Sequence, residues 1–171
     1  MDHQNETNTL TDWLEWFKRI VSQQIGSEGS SGFKELLTGN PEPDISAFKE
    51  DPLNMIFREN GLNASQKVIV LWSIAPYYIP DYLNYLAADQ KSIQMLGLSR
   101  GQINGMIIPT VETAVFTLAG HLPANRHDYL SYFFGNAFLI RNGLIEFPSA
   151  GQQDPITSLR LLPGERLLTG L

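Results

Sequence analysis

The chain of 171 residues, 43% hydrophobic and 18% charged, has the balance of an ordinary globular protein, and its length suffices to bury roughly 70% of the unfolded surface around one core. It has no cysteine, which excludes disulfide frameworks, thiolate zinc sites, iron–sulfur clusters and cysteine nucleophiles. The net charge of −6 sits in residues 1–60, which hold 11 acids against 5 bases, and a pI of about 5.0 disfavours nucleic acid as a partner because phosphate neutralisation dominates that affinity.

The N-terminal residues Met1 to Thr9 are polar and acidic, without the basic and then apolar pattern of a secretory signal, so a cytoplasmic location is expected. Leu10, Trp13, Leu14, Phe17, Ile20, Val21 and Ile25 then recur at three- and four-residue steps opposite Asp12, Glu15, Lys18 and Arg19. That spacing predicts an amphipathic helix packed on the domain's own core, with Thr9 as its N-cap and Gly26 as its stop. Gly26-Ser27-Glu28-Gly29-Ser30-Ser31-Gly32 reads as a flexible loop or linker. It is not a phosphate cradle, which needs GxxxxGK[ST] after a strand. Residues 33–51 carry short apolar clusters (Phe33, Leu36, Leu37; Ile45, Phe48) broken by Asn40-Pro41-Glu42-Pro43, which predicts brief helical turns in irregular chain.

From Pro52 the pattern becomes regular. Pro52, Leu53, Ile56, Phe57 and Gly61 mark a short helix. Asn63 or Ser65 caps the next, which runs through Val68, Ile69, Leu71, Trp72 and Ala75 to Pro76 and is apolar on most sides, so it belongs in the middle of the domain. Its apolar run is far short of the ~20 residues that span a bilayer, so no membrane segment is expected. Asp81 to Asp89 is helical by the spacing of Tyr82, Leu83, Tyr85 and Leu86, with the tyrosines expected at the edge of the core. Gly97, Gly101 and Gly105 predict a connector with at most short helical turns.

Pro109-Thr110-Val111-Glu112 starts a helix that continues through Ala114, Val115, Leu118 and Ala119 and ends at His121-Leu122-Pro123. Proline preorganises its first turn, and the threonine hydroxyl satisfies free backbone donors. A long helix is predicted from about Ala124, through Tyr129, Leu130, Phe133, Phe134, Ala137, Phe138 and Ile140, to Asn142-Gly143. Arg141 there complements the helix dipole, and Gly143 can take positive φ. Leu144–Phe147 and Leu159–Leu162 are short strands of a β-hairpin whose long tip runs from Pro148 to Pro155, and Pro163-Gly164-Glu165-Arg166 opens a last element. Helix, helix and hairpin is the order of a winged-helix unit.

In their order and spacing, Phe57 with Gly61-Leu62, Val68 to Pro76, Tyr82 with Tyr85-Leu86, Pro109-Thr110-Val111, Leu139 to Ile145 and Leu167-Leu168-Thr169-Gly170 resemble the winged-helix-like N-terminal domain of certain bacterial AAA+ ATPases encoded with phage-tail-like contractile injection systems. The resemblance covers about residues 53–171. It implies that a nucleotide-hydrolysing module follows where this chain stops, and that ATP and Mg belong to that module. Ile107-Ile108 stand where the family carries a basic pair, which removes an anionic contact there.

No residue of this chain is assigned a catalytic, cofactor-binding or metal role, and no Walker A lysine, HExxH or GxSxG is present. His3, His121 and His127 are scattered, and His127 and Asp128, neighbours on one helix, point roughly 100° apart and do not make an oriented pair. Pro109 to Gly120, by order the counterpart of a recognition helix, has no Lys or Arg and one acid, Glu112, while the wing adds Gln152, Gln153 and Asp154 without a positive charge. The expected architecture is therefore mainly α, in two parts: residues 1–51 as a helix plus flexible acidic segment, and residues 52–171 as a winged-helix-like domain with a small C-terminal hairpin. The expected role is a non-catalytic protein-interaction or assembly domain of a AAA+ ATPase, meeting a protein partner or a neighbouring subunit. The alternatives are a stand-alone winged-helix DNA-binding regulator and a small scaffold protein.

Overall fold

The computed structural model describes residues 9–46, 50–101, 105–148 and 154–171; His3, Phe48, Gln152 and Gln153 lie outside them. The first apolar stripe folds as α1 (Thr9–Gly26), which buries Trp13, Trp16, Phe17, Ile20 and Val21. Thr9 is the first helical residue rather than the cap before it, and its buried Oγ1 has no hydrogen-bond partner among the described residues. The Gly/Ser segment after α1 is tied down rather than flexible: the N–H groups of Ser27, Glu28, Gly29 and Ser30 donate to the carbonyls of Gln23, Ile25, Gln24 and Ser27. Gln24, fully buried, fixes it further, its Nε2 donating to Ser31 O at 2.9 Å and to Thr117 O at 3.1 Å.

A short helix α2 (Phe33–Gly39) follows, and α3 (Pro52–Glu59) starts where Asp51 Oδ1 accepts the N–H groups of Leu53 and Asn54. Of the two candidate caps for α4 (Ala64–Tyr78), Asn63 serves: Asn63 Oδ1 accepts Gln66 N at 2.9 Å and Gln66 Oε1 accepts Asn63 N at 3.0 Å. Every residue from Val68 to Pro76 is buried, as an all-round apolar helix requires. The helix does not stop at Pro76. A proline this close to the end removes only its own N–H, and Ile79 N closes the last turn onto Ala75 O at 2.9 Å.

Next come α5 (Pro80–Ala88) and a helix the sequence reading left out, α6 (Gln90–Leu96), capped by Asp89 and closed by Gly97 at φ +62°. The hydroxyl of Ser92, and then its backbone N–H, donate to the Asp89 carboxylate and hold it below its ordinary 3.8. Because the folded value is lowered, the stability this cap contributes is present above about pH 4 and is lost as pH falls through the folded value. Asp89→Asn keeps a capping oxygen without the titration, so its thermal midpoint is expected to fall less than that of the parent between about pH 5 and pH 2. Parallel melts would check this, and identical slopes would contradict it.

The glycine-punctuated connector is a hairpin, not helical turns: β1 (Ser99–Arg100) pairs antiparallel with β2 (Ile107–Ile108). Pro109 stays outside the helix that follows, so it preorganises nothing there. Thr110 is the N-cap of α7 (Val111–Ala119) in a reciprocal capping box with Thr113. The three central helices meet at Trp72, whose ring packs edge-on against Phe17 of α1 at 4.8 Å and whose Nε1 donates to Thr117 Oγ1 of α7 at 3.0 Å. The helix before residue 52 thus shares one buried cluster with α4 and α7.

The predicted long helix is broken into α8 (Pro123–Leu130), a 3₁₀ turn (Ser131–Phe133) and α9 (Phe138–Arg141). Extended backbone at Phe134 and positive φ at Gly135 end the first part, which lets Phe133 turn inward while Phe134 stays exposed. The C-terminal hairpin forms with shorter strands, β3 (Ile145–Glu146) and β4 (Leu162–Pro163), paired Ile145 to Pro163 and Glu146 to Leu162. Leu159 to Leu161, expected in that strand, pair instead with the entry to α7: Val111 N donates to Leu159 O, and Leu161 N to Pro109 O, each at 2.9 Å. A terminal helix, α10 (Glu165–Gly170), buries Leu167. The fold is mainly α with, among the described residues, two small antiparallel strand pairs, one of them C-terminal.

Candidate interaction surface

The positions singled out in the sequence are spread over the fold. His127 and Asp128 are exposed side by side on α8, and His121, also exposed, lies edge-on to Phe116 at 5.2 Å. Thr110 Oγ1 donates to Gly97 O at 2.8 Å, so the hydroxyl joins the α6 terminus to the start of α7 as well as capping it. Glu112, the single acid of α7, is paired with Arg126 of α8 at 2.6 Å. Arg141 lies in the last turn of α9, and Gly143 beyond it has φ +66°. Among the described residues no three His, Asp or Glu side chains gather as metal ligands, and no helix is long and apolar enough to cross a membrane.

Groups with displaced titration have structural causes. Burial pushes the Tyr82 hydroxyl up, against a hydrogen bond with Ser22 that acts in the opposite direction. Burial likewise pushes Tyr129 up. Glu28 and Lys91 shift toward their charged forms because they pair with each other on the surface.

The helix that chain order would place in a DNA groove is inside the protein. Every residue of α7 is buried except Glu112, so the face that would read bases is packed against α1, α4, α6 and α8. Exposed apolar side chains lie elsewhere: Leu122, Phe134 and Leu168 singly, and a group at the corner between α4 and α5. There the all-round apolar α4 emerges from the core, and its last two residues, Tyr77 and Tyr78, are 54% and 43% exposed. Tyr85, expected at the core edge, is 73% exposed and stacks on Tyr82, which is the tyrosine that does sit there.

Two shallow grooves flank this corner. One, of about 220 Å³, lies between Pro76, Pro80, Leu83 and the β1–β2 hairpin at Met106. The other, of about 210 Å³, is walled by Leu10, Asp51, Pro52, Leu53, Tyr78 and Leu171, and so joins the start of α1, the start of α3, the end of α4 and the last residue of the chain. The sequence reading passed over Tyr77 and Tyr78. The available signal was a pair of aromatics after nine buried positions, immediately followed by Ile79-Pro80, since a proline there forces the chain to turn while the aromatics face outward. No family model matches the chain, and no curated protein and no solved structure matches it either.

Proposed function

We propose that this chain is a non-catalytic, cytoplasmic protein-interaction or assembly domain and, on its resemblance, the N-terminal winged-helix-like part of a AAA+ ATPase whose ATP and Mg chemistry resides in a following module. The observation that carries the interaction reading is the inversion of surface roles: α7 is buried, while the aromatic end of α4 is exposed with a groove on either side. Tyrosines supply large contact area at low entropic cost, which is why they are enriched in protein interfaces. The order of helix, helix and hairpin in residues 109–163 supports the winged-helix part, and winged-helix folds serve protein contacts as well as DNA.

The DNA-regulator alternative is tested by titrating labelled duplex at low salt, where phosphate contacts are strongest. No shift is expected. A shift that weakens steeply as salt is raised would contradict the proposal and favour a regulator.

A further inference from the structure

We propose, resting on the reading of the α4–α5 corner as an interaction surface, that the groove beside Tyr78 takes a basic and apolar polypeptide segment of a protein partner, whose Lys or Arg side chain sits at the carbonyl end of α4 between Asp51 and Tyr78. The groove's walls supply both halves of that chemistry. Leu10, Pro52, Leu53 and Leu171 offer apolar contact, and Asp51 offers a carboxylate of which, among the described residues, Oδ1 accepts the two N–H groups that it caps.

The helix end itself favours a cation. The last carbonyls of a helix carry partial negative charge that a basic side chain in the last turn usually offsets, and α4 has none there. The ring of Tyr78, 43% exposed, gives a guanidinium or ammonium a face to lie on.

Among the described residues that line the groove, Asp51 is the charged side chain and none is Lys or Arg. Arg58, the basic residue of α3, is in its last turn, at the far end from Asp51. Residues 1–8 of this chain carry two acids and no Lys or Arg, the wrong sign for the groove. The complement is a positively charged segment with aliphatic neighbours.

The test is selection of a random phage-displayed peptide library on the whole chain, followed by affinity measurement of the enriched peptides on the parent, Asp51→Asn and Tyr78→Ala. Asparagine also caps helices, so Asp51→Asn is expected to fold, and thermal melts verify both variants. Enrichment of peptides joining Lys or Arg to aliphatic residues is expected. Their affinity should fall about threefold to tenfold with either substitution and weaken with salt.

Enrichment of acidic or uncharged peptides that still depend on Tyr78 would overturn the cationic anchor and leave the interaction surface standing. Peptides indifferent to both substitutions, or no enrichment, would overturn the groove and remove the α4–α5 corner as the interaction surface. A self-association that both substitutions abolish would place a second copy in the groove and overturn the assignment to a foreign partner.

Discussion

Gly120→Ala is expected to cost about 4 kcal/mol of folding stability, the sum of a strained backbone and a forced shift of packed main chain. Gly120 ends α7 at φ +58° and ψ −136°, a conformation that residues with a Cβ avoid. A Cβ built there would lie 2.0 Å from Gly29 O and 2.6 Å from Gly29 C, and those are backbone atoms that cannot rotate away. The contact is close because His121 N donates to Gly29 O at 2.9 Å, joining the turn after α1 to the end of α7. Gly61→Ala is the control: its φ of +58° is similar, but nothing lies within 4 Å of the added Cβ, so only about 1 kcal/mol should be lost. Chemical denaturation of both variants checks this, and equal losses would contradict the added cost of Gly120's backbone conformation and its collision with Gly29.

Trp72→Ala is the second large effect, at about 4 kcal/mol. Trp72 is fully buried where α1, α4 and α7 meet, so truncation opens a cavity, removes the edge-on contact with Phe17 and deprives Thr117 Oγ1 of its indole donor. For a chain of this length the thermal midpoint should fall by roughly 10 °C. Thr117→Val keeps the volume but strands the indole N–H in the core, for an expected loss of about 1–3 kcal/mol. A Trp72→Ala loss below that of Thr117→Val would mean that the three helices do not depend on this side chain.

These two sites show what the sequence could and could not disclose. Periodicity placed α1, α4 and α7 because each buries a repeating set of large side chains, and the caps at Asn63 and Thr110 were legible because they depend on neighbours three residues away. The turn of residues 26–32 was misread because its order comes from Gln24 and Thr117, which are 93 positions apart, and from Gly120 lying against Gly29. The split at Gly135 and the pairing of Leu159 to Leu161 with Pro109 to Val111 failed for the same reason: their partners are distant in the chain, and two-residue strands leave almost no alternation to detect.

The candidate surface was less legible than the core. A helix apolar on all sides signals burial, and the emergence of its last two tyrosines depends on where the neighbouring helices end. Asp51 and Tyr78 are 27 positions apart, and the packing of α3 and α4 against α1 brings them to one groove. The interior-facing spacing of Ala114, Val115, Leu118 and Ala119 makes the burial of α7 legible in the sequence, where the absence of Lys and Arg weighs against DNA reading through charge. The structure adds the steric argument, which does not depend on salt or on a local basic patch.

The most direct test of the proposed role is the size of the native product, read by blotting source-cell lysate with antibody raised against this domain. The account predicts a band several tens of kilodaltons above the 19.2 kDa of this chain, as a following ATPase module requires. A single band at 19.2 kDa would contradict the AAA+ assignment and leave a small binding or scaffold protein.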